Sequence, residues 1–157
     1  PPRPAPSDPE ARAKAAGLTV ARMEGSALHI HQHLSITVDG QQVPVPANLG
    51  VDPRQGSMSA LHTHDTSGII HVESPKVASF TLGQLFTEWG VKLGSHQIAG
   101  YRDGAGDRRV SLFVNGAAVT TALPKLRLRD QQDIAIVVTS GTTRPAAPAP
   151  FDWTSTS

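Results

Sequence analysis

Along residues 28–38, Leu28, Ile30, Leu34, Ile36 and Val38 fall on one side and His29, His31, His33, Ser35 and Thr37 on the other. Gln32 alone interrupts the apolar side. A period of two belongs to a β-strand, whose successive side chains leave opposite faces of the sheet; a helix repeats its faces every three or four residues. The stretch predicts a strand with its back in a core and a histidine ladder at the start of its front. The rest of the chain must cover that back and complete that front.

Asp39-Gly40 reads as a two-residue hairpin turn, with a return strand over residues 41–45. Residues 46–59 read as loop, punctuated by Pro46, Gly50, Pro53 and Gly56. Alternation resumes over 68–74, with Ile70 and Val72 on one side, His71 and Glu73 on the other, and Pro75 as the stop. Thr81 and Gln84 form a capping box for a helix ending at Gly90, whose apolar stripe is Leu82, Leu85, Phe86 and Trp89. Asn115-Gly116 predicts a second hairpin, and a last strand is expected over 133–138. Ser7-Asp8-Pro9-Glu10 with Gly17 marks a short N-terminal helix.

Six of the seven histidines lie in two segments, His29/His31/His33 and His62/His64/His71, with Asp65 and Glu73 beside the second. On a strand, a His-x-His pair puts both rings on one side with Cβ atoms about 6–7 Å apart, a span that chelates one ion. A histidine-rich polar face with no ligand role is the plainer reading. Six imidazoles in step with the strand alternation weigh against it. His62, His64 and His71 are the leading ligands, then His31 and His33, with His29 an outer residue or the edge of a second site. Glu73 is expected to ligate, to orient a ligand ring or to act as a base. Asp65 either joins the site or caps the turn into Thr66-Ser67-Gly68, where Gly68 supplies a positive φ or a tight turn. His96 reads as a surface or packing residue, and Met23 and Met58 as gap fillers, with thioether donation to a copper ion the alternative.

The chain has no cysteine, which removes disulfides, thiolate nucleophiles and sulfur-rich metal sites. Imidazole and oxygen donors without thiolate suit a copper or zinc ion. A net charge of +1 gives no field to recruit nucleic acid. No apolar run reaches the ~20 residues that span a bilayer. At 157 residues the chain predicts one domain, residues 18–140, flanked by a tail with a short helix (1–17) and a Pro/Ala-rich tail (141–157). Such tails commonly tether a module outside a cell, and the opening proline reads as a processed or trimmed start.

The order hairpin, helix, further strands, with Val114-Asn115-Gly116 and Leu128-Arg129-Asp130-Gln131-Gln132-Asp133-Ile134 near the end, resembles a β-grasp (ubiquitin-like) domain over residues 34–45 and 80–138. The resemblance implies an α+β, β-grasp-like mixed sheet with one packed helix, into which a His-rich segment, 47–75, is inserted. Sulfur carriers of that fold end in Gly-Gly; here Thr139-Ser140-Gly141-Thr142-Thr143 follows the last strand, so carrier activity is not implied. The first histidine cluster together with Leu61-His62-Thr63-His64-Asp65-Thr66-Ser67-Gly68-Ile69-Ile70-His71-Val72-Glu73-Ser74 is similar to a largely uncharacterised group of bacterial extracytoplasmic proteins. That likeness implies a secreted or tethered location and leaves the function to the site.

Three functions fit these residues. The first is an extracytoplasmic copper- or zinc-binding protein for acquisition, buffering or delivery. The second is a metalloenzyme with three histidines and an open position, hydrolytic or acting on oxygen species. The third is an interaction module that binds a protein partner through its sheet face or tails, its metal only stabilising the insert.

Overall fold

A computed structural model describes residues 3–21 and 27–155; Met23 lies outside them. In chain order the elements are α1 (Pro9–Ala15), β1 (Val20–Ala21), β2 (Leu28–Val38), β3 (Gln41–Gln42), β4 (Val51–Asp52), β5 (Ser57–Ser59), β6 (Leu61–His62), β7 (Ile69–Ser74), α2 (Leu82–Trp89), β8 (Leu93–Gly94), β9 (Gln97–Ile98), β10 (Tyr101–Arg102), β11 (Arg109–Val114), β12 (Ala117–Val119) and β13 (Gln132–Thr139). The architecture is α+β. The main sheet is mixed and runs β12-β11-β13-β2-β7-β6, with β3 also paired to β2. β13 lies parallel to β2 on one edge, while β7 and then β3 lie antiparallel along the other.

The apolar sides of these strands meet the helices. Leu34 and Ile36 of β2, Ile134, Ile136 and Val138 of β13, Ile70 and Val72 of β7, and Leu61 of β6 share one core with Leu82, Leu85, Phe86 and Trp89 of α2. Burying each such side chain contributes roughly 1.5–3 kcal/mol. Ala13 brings α1 into the same core. Gln32, the polar residue on the apolar side of β2, is fully buried and donates its amide to the Arg129 carbonyl at 3.1 Å, which offsets part of the cost of burying it; its Oε1 is buried without a hydrogen-bond partner.

The α2 capping box forms, with Thr81 N donating to Gln84 Oε1 at 2.9 Å and Gly90 in the left-handed region at φ 74°. Both hairpin turns use positive φ at their two central residues, Asp39-Gly40 and Asn115-Gly116.

Two expectations need correction. The return strand expected over 41–45 is shortened to Gln41–Gln42 with one further bond from Val43 N to the Ile36 carbonyl at 2.8 Å, because Pro44 and Pro46 have no N–H to continue the ladder. The expected loop 46–59 contains β4 and β5, which pair with each other, and β5 pairs with β1, in a separate small sheet. Residues 47–75 are thus no simple excursion: they return β6 and β7 to the main sheet. The C-terminal segment lies against the far face, where Ala147 packs on Phe113, Ala135 and Val137.

Candidate metal centre

The register sets a row of imidazoles across three neighbouring strands. His31 of β2 stands opposite His71 of β7, and His71 opposite His62 of β6. One step along, His29 stands opposite Glu73. Side chains directly opposite on one face are near neighbours, so the ladder on β2 and the second histidine segment meet on a single surface. His64 joins from the chain just beyond β6.

The rings are close. His62 and His71 are parallel with centroids 5.4 Å apart, His64 lies 4.5 Å from His71 and 4.8 Å from His62, and His31 lies 4.7 Å from His71. One donor atom from each of His62, His64, His71 and Glu73 falls within 4.8 Å of all the others, and the same holds for His29, His31 and Glu73. The Glu73 Oε1 atom is common ground: it lies 3.6 Å from His62 Nε2, 3.6 Å from His71 Nδ1 and 3.4 Å from His29 Nε2. An N–H···O hydrogen bond is usually about 2.9 Å long. Donors about 2.0–2.1 Å from a tetrahedral ion are separated by about 3.3–3.4 Å, close to the spacing seen here.

His62 is held from behind. His62 is fully buried, and its Nδ1 lies 2.8 Å from the Ser59 carbonyl oxygen. A carbonyl only accepts, so Nδ1 carries a proton and Nε2 is the ring nitrogen left to face Glu73. Thr63, between the two histidines of the pair, is buried and pinned to the 46–49 turn: its hydroxyl donates to the Pro46 carbonyl at 2.7 Å and accepts from Leu49 N at 3.1 Å. Glu73 is 5% exposed. A carboxylate out of water needs positive charge or strong donors around it, which protonated imidazoles or a cation supply. Burial and the neighbouring His29 hold the His31 imidazole below its ordinary value, against the pull of Asp130, which keeps the ring neutral and able to ligate near pH 7.

Two residues expected near the site stand outside both clusters. His33 turns to Asp133, with Nδ1 and Oδ1 2.9 Å apart, and stacks on Phe151 at 3.8 Å and 11°. Asp65 accepts from the Ser67 backbone N–H at 3.0 Å and from the Ser67 hydroxyl, so it caps the turn before Gly68. Those bonds hold its carboxyl below the usual carboxylate range. Gly68 has φ +88°, and a Cβ there would lie 2.4 Å from the Leu34 carbonyl oxygen, so the turn needs both the conformation and the space. His96 is exposed in the turn between β8 and β9.

Ser59 and Thr63 are the positioning residues that sequence patterning missed, and nothing in their local sequence marks them. Glu88 of α2 was missed as well. It is buried beside Ser59 and Gly50, and burial pushes its carboxyl up to about 8, partly opposed by the Ser59 hydroxyl. Its place three residues after Leu85, flanking the apolar stripe, was a readable signal.

Among the described residues, no helix is long and apolar enough to cross a membrane. No protein-family profile matches the chain, and no curated protein or solved structure shows significant similarity to it.

Proposed function

We propose that the protein binds a copper or zinc ion through His62, His64, His71 and Glu73, and that its role is acquisition, buffering or delivery outside the cytoplasm. The observation that carries this reading is the convergence of one carboxylate oxygen and several imidazole nitrogens at tetrahedral-edge spacing. Imidazole and carboxylate donors without thiolate favour Zn(II) or Cu(II) over Cu(I). Three imidazoles and a carboxylate complete a four-coordinate shell, which supports holding an ion over keeping an open catalytic position. Exposed His64 leaves one side of the shell reachable from solvent, as loading and release require.

The β-grasp reading of the frame is supported by the order β3-β2-β13-β11-β12, with a parallel central pair and α2 between the two hairpins. The extracytoplasmic reading rests on the Pro/Ala-rich flanks and on the sequence likeness described above.

The deciding experiment is elemental analysis of the untagged protein expressed without added metal, followed by loading of the metal-free form. Near-unit or greater copper or zinc per chain is the expected result, lost in the double variant His62→Ala/His64→Ala. A protein that carries no metal and takes up neither ion at micromolar concentration overturns the proposal.

A further inference from the structure

We infer that the sheet holds a second divalent ion beside the first, between His29 and His31 of β2, with the Glu73 carboxylate bridging the two. The inference rests on the metal-binding reading above and extends it to a dinuclear centre.

The donors divide into two sets. His62, His64, His71 and Glu73 form one mutually close group, and His29, His31 and Glu73 form another; Glu73 is the member they share. The donors fall into two mutually close groups rather than one, whereas donors around a single ion about 2.0–2.1 Å away are at most about 4 Å apart, so two ions suit these sets better than one. Yet the sets touch: the His31 and His71 rings are 4.7 Å apart, and His29 Nε2 lies 3.4 Å from the same Glu73 oxygen that faces His62 and His71. One carboxylate oxygen facing both sets can bridge two ions, and paired ions in such centres lie about 3.5–4 Å apart. The strand spacing suits this, because His31 and His71 stand directly opposite across one β2–β7 rung and His29 and Glu73 across another two residues on.

The two positions differ in kind. The inner ion has a full set of four protein donors around the buried His62. The outer one has only three, and the His29 side chain is 52% exposed. Water or an external ligand completes the outer shell, so this position is the one through which ions exchange with their surroundings. The alternative is that His29 and His31 only neutralise Glu73 electrostatically; it predicts a single ion.

The test is titration of the metal-free full-length chain with Cu(II) alone, reading stoichiometry and electron paramagnetic resonance intensity together. The expected result is two ions per chain, with spin intensity well below that of two isolated Cu(II) centres because the bridge couples them. His29→Ala/His31→Ala is expected to bind one ion with full mononuclear intensity. His29→Ala alone, at a half-exposed position that tolerates truncation, is expected to weaken only the second binding step by tenfold or more. One ion in both the parent chain and the double variant overturns this inference and leaves the metal-binding proposal standing. Two ions retained by the double variant, or two uncoupled full-intensity signals from the parent, also overturn it. No binding of Cu(II) overturns this inference, and the zinc loading described above then decides the metal-binding proposal separately.

Discussion

The Ser59 carbonyl oxygen sits 2.8 Å behind Nδ1 of His62 and so commits the opposite ring nitrogen to the centre before any ion arrives. His64 has an exposed side chain and must be ordered on binding. The preorganised ligand is therefore expected to matter more. His62→Ala should weaken Zn(II) affinity by about 100-fold or more, beyond the 10–100-fold typical of losing an outer-shell partner. His64→Ala should cost less, and His96→Ala nothing. Competition against a chromophoric chelator ranks the three; equal losses for His62→Ala and His96→Ala would exclude His62 as a ligand.

Imidazoles must be neutral to ligate, so protons compete with the ion. Affinity is expected to fall as pH is lowered. Saturation with ligand at about 100 times its Kd stabilises by about 2.7 kcal/mol. Thermal unfolding with and without zinc at pH 7.5 should show that gain, and at pH 5 it should shrink towards zero. An undiminished shift at pH 5 would place the ion on other donors.

Glu88 adds a separate pH dependence. Its carboxyl is pushed up to about 8 in the fold from an ordinary 4.5, so between those values the folded chain holds a proton that the unfolded chain has released. Stability from this group is fully present below pH 4.5 and is lost as pH rises through about 8. Glu88→Gln removes the titration, and the variant should exceed the parent at alkaline pH by on the order of a few kcal/mol. Urea midpoints of the metal-free proteins across pH measure this. Parallel curves would mean that Glu88 is ionised in the fold.

Gly68 and Gly104 share a left-handed backbone, at φ +88° and +81°, but only Gly68 has an atom within contact range of an added Cβ. Gly104→Ala should cost about 1 kcal/mol from conformation alone. Gly68→Ala should cost that and a further 1–3 kcal/mol, because the obstruction is the Leu34 backbone and the turn must shift. It should also weaken metal binding, since the turn sets the start of β7. Denaturation curves for both variants separate the two contributions.

His33 and Phe151 tie the C-terminal segment to the sheet, with Phe151 N donating to Asp133 Oδ2 at 3.0 Å. Phe151→Ala should speed proteolysis within residues 144–155 and cost about 1 kcal/mol. Metal stoichiometry should be unchanged. A lost ion would show that this contact belongs to the centre.

Strand β2 was legible end to end because a period of two along Leu28–Val38 cannot serve a helix. Helix α2 announced itself through Thr81, Gln84 and Gly90, all local signals. The strands β4 and β5 were not legible: Val51–Asp52 and Ser57–Ser59 are too short to show a period and exist through pairing with each other and with Val20–Ala21. For the site, spacing identified the clustered residues His29, His31, His62, His64, His71 and Glu73. It could not exclude His33, whose partner Asp133 comes a hundred residues later and reaches it through the parallel β2–β13 pairing.

Strand β6 closes one side of the main sheet with just Leu61 and His62, held to β7 by a two-residue ladder. The Glu73 N–H adds one bond to the Ala60 carbonyl at 2.8 Å, and were so short a border to lift, the β7 backbone behind it would become a template on which another chain could add a strand. An ion gripping His62 and His71 together would rivet that border shut through side chains where the backbone has too few bonds to do so. Loss of metal would then register first as self-association of an otherwise folded protein, and an ion held there would also guard against aggregation.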